Sequence, residues 1–287
     1  MADARLLAAI AARHGLGADA VRPIPAGVAN EVYLLGDDLV LRIPRSAAFA
    51  ADLCKETVVI PAARQAGVRT PRVVTFHDQG TTWLVIERVP GVDLAQLELP
   101  SHQLDEVYRQ AGHDLAKLHR MPAVAAPGIP RHEESASPGA LVADLLADGY
   151  LDVDAARWLE DWFARLAAQM PATPPPRVLI HGDLAPQNLI VDPETGRFTG
   201  IVDWGDAEWA DPAVDFAKTP PIHLPALLDG YRSVSRDTAE SLHARALWYH
   251  LSWALARLRD PTPKPGQRHW SAPPASRLLA LLRRYAS

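Results

Sequence analysis

The hydrophobic positions in the first part of the chain alternate between helical spacing and short strand-like runs. Apolar residues on one helical stripe predict a helix over residues 4 to 13, which two glycines end. Similar spacing predicts a second helix over residues 47 to 66. Between and after these helices, runs rich in Val, Leu and Ile predict strands joined by turns. The predicted strands lie within residues 21 to 44, including 32–35 and 39–43, and at 73–76 and 83–86.

The pattern becomes mainly helical from residue 92 onward. Three amphipathic stretches place apolar residues three and four positions apart, and two further helices close the chain. A proline-rich run at residues 171 to 176 interrupts this pattern and leads into a buried strand at 178 to 180. Apolar runs at 189 to 191 and 198 to 202, separated by a turn-like segment, predict a hairpin at the centre of this part.

The change of pattern near residue 89 predicts two lobes. Val89-Pro90-Gly91-Val92 interrupts the strand-rich part, and 287 residues is a length at which chains begin to divide. We therefore predict an α+β fold. A small antiparallel-sheet lobe covers residues 1–89, and a mainly helical lobe covers residues 90–287.

Composition and charge exclude several classes of binding partner and metal site. The 29 Lys and Arg against 34 Asp and Glu give a formal net charge of −5, and no block of basic residues exists, which argues against nucleic acid. Cys54 is the single cysteine, so an intrachain disulfide and a Cys-based zinc site are excluded. No apolar run reaches ~18 residues and the start lacks a signal-sequence pattern. We expect a cytoplasmic protein with no membrane span.

The segment around residues 181 to 205 carries the most chemistry. Phosphoryl transfer needs a carboxylate beside the incoming hydroxyl, together with carboxylate and amide oxygens that hold Mg²⁺ against the phosphates. His181-Gly182-Asp183 followed by Asn188 has the His-x-Asp-x4-Asn spacing of kinase catalytic loops, and Asp203-Trp204-Gly205 follows the next strand. The hairpin between the two segments is expected to bring Asp183, Asn188 and Asp203 together.

These motifs resemble the aminoglycoside phosphotransferase family, whose fold is protein kinase-like. The resemblance also includes the helix that ends in Leu115-Ala116-Lys117-Leu118-His119 and the segment Asp211-Pro212-Ala213-Val214-Asp215-Phe216. It covers roughly the whole chain and implies a two-lobed fold. The combination of motifs is specific, whereas each one alone is weak.

The resemblance implies a role for each matching position. Asp183 resembles the catalytic aspartate that orients and deprotonates the acceptor hydroxyl, and Asn188 and Asp203 resemble the Mg²⁺ ligands. Arg42 stands where most of these kinases have a lysine that contacts phosphates, and Glu56 resembles its partner acid on the first-lobe helix. The other expected nucleotide contacts are the backbone from Glu87 to Val89 at the purine, and residues 27 to 32, including Gly27 and Asn30, at the phosphates.

The chain departs from the family pattern at two places. Gly27 is the only glycine where protein kinases use three, and Arg42 replaces the lysine. Arginine keeps the charge and offers a planar fork of donors, so it can still hold phosphate oxygens and pair with Glu56. The surrounding Leu-Arg-Ile-Pro-Arg segment also resembles macrolide phosphotransferases of the same broad family.

Several polar residues have structural interpretations beside the functional ones. His181 is expected to brace the loop by hydrogen bonding, and Asp211 and Asp215 are expected to cap a helix near Pro212 and to bond the catalytic loop. Asp206 and Glu208 extend an acidic stretch that either attracts a polycationic substrate or forms a solvated loop. The sequence leaves these two alternatives open.

The function predicted from the sequence is transfer of the γ-phosphate of ATP or GTP, with Mg²⁺, to a hydroxyl of a small molecule. The favoured acceptor is a cationic antibiotic, either an aminoglycoside or a peptide of the viomycin and capreomycin type. A macrolide and a metabolic alcohol, as used by choline and homoserine kinases, are the alternatives. Two other classes are a nucleotide-binding pseudokinase and a metal-dependent hydrolase that uses His181 and Asp183.

Overall fold

The structure is a computed structural model that describes residues 2–24, 29–132, 137–232, 239–260 and 273–285. Ten strands and eight α-helices are found in these ranges. The strands are β1 Val21–Ile24, β2 Asn30–Leu35, β3 Leu39–Pro44, β4 Val73–His77, β5 Trp83–Glu87, β6 Val92–Asp93, β7 Val178–Ile180, β8 Leu189–Val191, β9 Phe198–Ile201 and β10 Glu208–Ala210. The helices are α1 Ala4–Arg13, α2 Ala47–Gln65, α3 Ser101–Leu118, α4 Pro138–Ala147, α5 Val153–Ala167, α6 Leu224–Arg232, α7 Ala239–Ala256 and α8 Pro274–Tyr285.

The first lobe is built on an antiparallel sheet of five strands in the order β1-β2-β3-β5-β4. The alternation of side chains along β3 gives the sheet two different faces. Leu41 and Ile43 join the cluster under α1, which includes Ile10. Arg42 lies between them in sequence and therefore points to the opposite face, where α2 packs. The period of the strand thus directs the arginine towards the rest of the molecule.

The second lobe is mainly helical, and two of its helices approach each other very closely. A side chain at Gly112 of α3 would place its Cβ 2.2 Å from the backbone oxygen of Leu227 on α6. A Cβ at Gly230 of α6 would lie 1.9 Å from the backbone oxygen of Arg109 on α3. Only glycine fits at such contacts. The α3–α6 pair therefore depends on both glycines.

Two small sheets bracket the loops that carry the predicted motif. The strand β7 leads through the catalytic loop, residues 181 to 188, into β8, and β9 leads through residues 202 to 207 into β10. Because β8 pairs with β9 and β10 pairs back with β7, both loops run between the same two sheets. The backbone bond from Val202 N–H to Asn188 O, 3.0 Å, joins them directly. The topology therefore places the two loops side by side.

The predicted α+β fold with an antiparallel-sheet lobe and a helical lobe is confirmed. The division at residues 89 and 90 stays a prediction, and the largest hydrophobic cluster contains residues from both sides of it, among them Leu53 and Leu115. Within the described ranges, no helix is long and apolar enough to cross a membrane.

Candidate active site

Asp183 lies in the catalytic loop with each carboxylate oxygen engaged. The side-chain amide of Asn188 donates to Asp183 Oδ2 at 2.8 Å and also to the main-chain oxygen of Asp183 at 2.8 Å. The ammonium of Lys218 lies 2.7 Å from Asp183 Oδ1. The Asp183 side chain is 19% exposed, so water and a substrate can still reach it. The carboxylate is thus held in one orientation at the surface of the loop.

The backbone of the catalytic loop is held from below by Asp215. Its carboxylate accepts hydrogen bonds from the N–H groups of His181, at 2.9 Å, and Gly182, at 2.7 Å. His119 contacts the same carboxylate at 3.0 Å. Burial would raise the pKa of Asp215, but the hydrogen bonds from His119 and the loop outweigh it and hold the pKa below its usual range. The predicted bond from Asp215 to the loop is confirmed. The short helix Pro212–Phe216 is capped by Asp211, whose side chain accepts from the Ala213 N–H, and Asp215 lies inside this helix.

His181 braces the loop, as the sequence analysis predicted. Its Nε2 contacts the main-chain oxygen of Val202 at 3.0 Å, and its Nδ1 accepts from the N–H of Asp183 at 3.2 Å. The ring also meets Trp204 edge to face. Since both ring nitrogens are engaged, His181 is not available as a metal ligand or a base. Within the described residues, no cluster of three or more His, Cys, Asp or Glu side chains that could together hold a metal is found.

Asp203 follows β9 and has an unusual backbone conformation. Its φ is 66°, and it is the only non-glycine residue with positive φ among the described residues. Asp tolerates this left-handed region better than most side chains do. Its side chain is 51% exposed, and Oδ1 accepts from Arg42 Nη2 at 2.7 Å. The contact with Arg42 is thus made through Oδ1 of the Asp203 carboxylate.

Arg42 joins the two lobes. Its Nη1 donates to both carboxylate oxygens of Glu56, at 2.6 and 2.7 Å, while its Nη2 donates to Asp203. Burial would lower the pKa of Arg42, but the two carboxylates outweigh it and the net direction is upward. Burial raises the pKa of the fully buried Glu56 against the opposing effect of the guanidinium. The predicted ion pair of Arg42 with Glu56 is present, and the contact with Asp203 is additional.

The two glycines beside the acids have different reasons to be glycine. Gly182 has a φ of 82°, and a Cβ there would lie 2.3 Å from the backbone oxygen of Asp206. Gly205 has no positive φ, and the nearest atom to a Cβ there would be Asp52 Cβ at 3.4 Å. A left-handed backbone and a close approach of another backbone therefore require glycine at Gly182 and not at Gly205. Beside the second acid, Asp203 itself takes the left-handed conformation.

The residues expected to contact the nucleotide differ in burial and in their contacts. Glu87 bonds Arg72 through its carboxylate and its N–H, so its side chain faces the surface. Val89 Cγ1 lies 3.1 Å from where a Cβ at Gly200 would stand, so the interlobe segment packs on β9. Asn30 is buried at the start of β2, and its Oδ1 has no hydrogen-bond partner among the described residues. Gly27 lies outside the described residues.

Asp206 and Glu208, the two residues that extend the predicted acidic stretch, have different neighbours. Asp206 is 64% exposed and lies 4.0 Å from the Lys218 ammonium, so it borders the site. Glu208, in β10, contacts His132 at 2.7 Å. The sequence analysis missed Asp52 of α2, whose pKa is raised by burial and by the nearby charges of Asp206 and Asp203. The acid group at the site is thus Asp52, Asp203 and Asp206, with Glu208 beside His132.

The oxygen atoms around Asp203 fit a hard divalent cation. The nitrogen of the Asn188 amide donates to Asp183, which leaves the amide oxygen for a metal. One oxygen of Asp203 is bound by Arg42, which leaves the other. Carboxylate and amide oxygens are ligands that Mg²⁺ accepts, and Mg²⁺ typically uses one or two protein ligands together with phosphates. The donor set therefore suits the predicted ion.

Lys218 is the main residue that the sequence analysis missed. It comes three residues after Asp215 and its ammonium lies 4.7 Å from the ring centre of Trp253 on α7. The side chain is 11% exposed, and buried lysines are rare unless they are paired. The available signal was a lysine two residues after the mainly apolar segment Pro212–Phe216, in a chain with only four lysines.

The sheet lobe, the helical lobe and the paired loops define a protein kinase-like phosphotransferase fold. The profile of the phosphotransferase enzyme family matches residues 20–260, and the chain belongs to this family. The chain is 35% identical over 188 residues to an aminoglycoside 3'-phosphotransferase of Streptomyces fradiae. That match covers 61% of this chain and 66% of the relative, slightly under two thirds of its length.

Solved structures share the fold. An aminoglycoside 2'-phosphotransferase in complex with GDP has a TM-score of 0.68 at 20% identity, with 93% of this chain and 92% of that chain covered. A macrolide 2'-phosphotransferase from Brachybacterium faecium has a TM-score of 0.66 at 22% identity, covering 99% and 98%. The two-lobed, kinase-like architecture predicted from the motifs is therefore confirmed.

Proposed function

We propose that this protein is an antibiotic kinase that transfers the γ-phosphate of a purine nucleoside triphosphate to a hydroxyl of an aminoglycoside. One observation carries the proposal. Arg42 links Glu56 to Asp203. The loop that carries Asp203 donates from the Val202 N–H to Asn188 O, and the Asn188 amide donates to Asp183, so the nucleotide-side and acceptor-side groups form adjoining networks. This is the arrangement that phosphoryl transfer by positioning and electrostatics requires.

In the proposed reaction, Asp183 accepts a hydrogen bond from the acceptor hydroxyl and points its oxygen at the γ-phosphorus. The bond from the acceptor oxygen to phosphorus forms as the bond from phosphorus to the β–γ bridging oxygen breaks. The hydroxyl proton passes to Asp183 and then to water. The products are a phosphorylated acceptor and a nucleoside diphosphate.

The nucleotide-side residues hold charge in place during this transfer. Arg42 has donors beside Asp203 and is already fixed by Glu56, so it is placed to contact phosphate oxygens. Asn188 and Asp203 would hold Mg²⁺, which supplies neutralisation of the developing phosphate charge when it is bound. Asn30 has a buried oxygen without a partner among the described residues, which supports a place for it near the nucleotide. The backbone from Glu87 to Val89 is the proposed purine contact.

An aminoglycoside is favoured as the acceptor for two reasons. The curated relative at 35% identity is named an aminoglycoside 3'-phosphotransferase. Asp206, 64% exposed, and Asp52 add negative charge beside Asp203, and such charge attracts ammonium groups. Peptide antibiotics with several amino groups present the same chemistry, so they belong to the same test.

A coupled assay of nucleoside diphosphate release tests the function. ATP and GTP, each with Mg²⁺, are supplied with aminoglycosides, tuberactinomycin peptides, macrolides, choline and homoserine, and mass spectrometry detects the added phosphate. We expect an aminoglycoside to be phosphorylated by the wild-type protein and not by Asp183→Ala. Nucleotide binding without transfer to any acceptor would contradict the proposal and favour the pseudokinase alternative. Transfer to a macrolide alone would correct the acceptor.

A further inference from the structure

Lys218 is held against Asp183 by contacts from several elements. Its ammonium lies 2.7 Å from Asp183 Oδ1, opposite the bond from Asn188 to Oδ2. A carboxylate has two oxygens with about four acceptor positions, so one donor on each oxygen fixes its rotation and leaves further positions for a hydroxyl. Asn188 belongs to the same loop as Asp183, whereas Lys218 is 35 residues away. The second donor is therefore supplied by tertiary structure.

The backbone around Lys218 is clamped on both sides. Arg277 of α8 donates to the main-chain oxygen of Ala217, and His250 of α7 donates from Nε2 to the main-chain oxygen of Thr219 at 2.7 Å. Burial lowers the pKa of His250 to about 3, so its ring is neutral and one nitrogen remains the donor. Two helices of the second lobe thus fix the residues directly before and after the lysine.

The ammonium itself is also guided. The ring of Trp253 lies 4.7 Å from Nζ, and a cation over an indole ring is attracted by the ring electrons. Trp253 packs on the small apolar cluster of Ile180, Ala210 and Val214. Ile180 immediately precedes the catalytic loop. The position of the cation is therefore coupled to the strand that delivers Asp183.

We propose that Lys218 is a positioning residue for the phosphate transfer, acting through Asp183. Its ammonium fixes the carboxylate plane in the orientation that the acceptor hydroxyl needs, and Asp215 fixes the backbone of the same loop from three residues earlier in the chain. The inference rests on the proposed function, because the orientation of Asp183 matters only if Asp183 receives a hydroxyl.

The kinetic test compares Lys218→Met, Lys218→Arg and a matched control. Lys117→Met removes another lysine that pairs with an aspartate at 2.7 Å, Asp114, away from the site. We expect Lys218→Met to lower kcat by about 10²-fold, the size of a misplaced reacting group, with little change in KM for nucleotide. Lys218→Arg should recover part of the loss, and Lys117→Met should leave kcat unchanged. An unchanged kcat in Lys218→Met would overturn the proposal.

A double substitution tests whether Lys218 acts through Asp183. In the Asp183→Asn background, Lys218→Met should cause no further loss of the residual rate, because the group that it positions is already impaired. Full multiplication of the two losses would show that Lys218 acts on the phosphates directly, and the positioning role would be wrong.

A chemical readout separates this proposal from the proposed function. Trace acetylation followed by peptide mass spectrometry measures how accessible each lysine is. We expect slow labelling of Lys218 in the wild-type protein, faster labelling in Asp183→Ala, and an unchanged rate at Lys117. Equal Lys218 rates in both proteins would overturn the contact. If the wild-type protein phosphorylates no acceptor, the proposed function fails while this measurement still decides whether Lys218 holds Asp183.

Discussion

Asp183 and Asp203 are each held by a cation, but the two cations come from different parts of the molecule. Asp203 is bound by Arg42, which belongs to the first-lobe sheet. Asp183 is bound by Lys218, which belongs to the same lobe as the catalytic loop. The orientation of Asp203 therefore depends on how the lobes meet, whereas that of Asp183 is set within one lobe.

On the proposed function, Asp203 belongs to the nucleotide-binding side of the site and Asp183 to the acceptor side, so the two sides are held by different contacts. If a nucleotide binds between the lobes as proposed, we expect a change in the approach of the lobes to alter the Arg42 contact with Asp203 first. The contact of Lys218 with Asp183 can persist through such a motion. On the proposed function, we therefore expect the acceptor side to keep its geometry while the nucleotide side adjusts.

The largest expected effects are on kcat and nucleotide binding when Asp183 or Asp203 is replaced by alanine. Asp183→Ala and Asp203→Ala should each lower kcat by about 10²- to 10⁴-fold. Only Asp203→Ala should also weaken nucleotide binding in the presence of Mg²⁺, because Asp203 is the proposed metal ligand. Calorimetric titration with nucleotide, with and without Mg²⁺, measures this. Equal weakening in both variants would remove the contrast between the two sides.

The next effect concerns stability. Arg42→Met leaves the fully buried Glu56 without its partner and should cost about 3–5 kcal/mol of unfolding free energy. Lys218→Met should cost less, because Asp183 is 19% exposed and retains the bond from Asn188. Urea denaturation of both variants compares them. A larger loss in Lys218→Met would reverse the comparison.

The cost of Arg42→Met should depend on pH. Burial raises the pKa of Glu56 above its ordinary value of 4.5, and without Arg42 nothing on that side chain opposes the rise. A carboxyl whose folded pKa is raised stabilises the fold below its unfolded pKa and loses that contribution as pH rises. The deficit of Arg42→Met should therefore be smaller at about pH 5 than at about pH 8. A pH-independent deficit would indicate that Glu56 stays ionised.

A smaller effect separates the two glycines. Gly182→Ala places a Cβ against the backbone of Asp206 at positive φ and should cost about 1–3 kcal/mol, with loss of activity. Gly205→Ala meets no atom closer than 3.4 Å and should be tolerated. Thermal unfolding and kcat of the two variants provide the measurement. Similar losses at both positions would mean that the loop after Asp203 is as constrained as the one before Asp183.

The smallest effect concerns the exposed acid at the rim. Asp206→Asn should raise KM for a cationic acceptor by up to about fivefold, since an exposed ion pair contributes about 1 kcal/mol or less. The increase should shrink with added salt. Asp154→Asn on α5 removes an aspartate elsewhere whose side chain is 95% exposed, against 64% for Asp206, and serves as the control. No change in KM would favour the alternative that Asp206 belongs to a solvated loop.

Much of the site could be predicted because its chemistry is local in sequence. Asp183 and Asn188 lie within one loop. Asp203 follows β9, which pairs with β8, the strand directly after that loop. Strand and helix patterns around them follow from the alternation of apolar residues. The pairing of Arg42 with Glu56 was also accessible, because a strand and the following helix are neighbours in the chain.

Other features depended on contacts between distant parts of the chain. The bond between Arg42 and Asp203 joins residues 161 positions apart. Whether a position tolerates a Cβ depends on its nearest neighbour in space. That neighbour is the backbone oxygen of Asp206, at 2.3 Å, for Gly182 and the Cβ of Asp52, at 3.4 Å, for Gly205. No local pattern reports such distances.

The sequence by itself determined the order of the elements, the proposed catalytic aspartate and the proposed metal ligands, because periodicity and motif spacing are local properties. Only the tertiary structure decided which cation holds each acid, since Lys218 reaches Asp183 through the packing of α7 and α8 around residues 217 to 219. Packing brings the largely buried Arg42 and Lys218 side chains within hydrogen-bond distance of remote carboxylates, and one such ion pair restricts the rotation of a carboxylate that water can still reach.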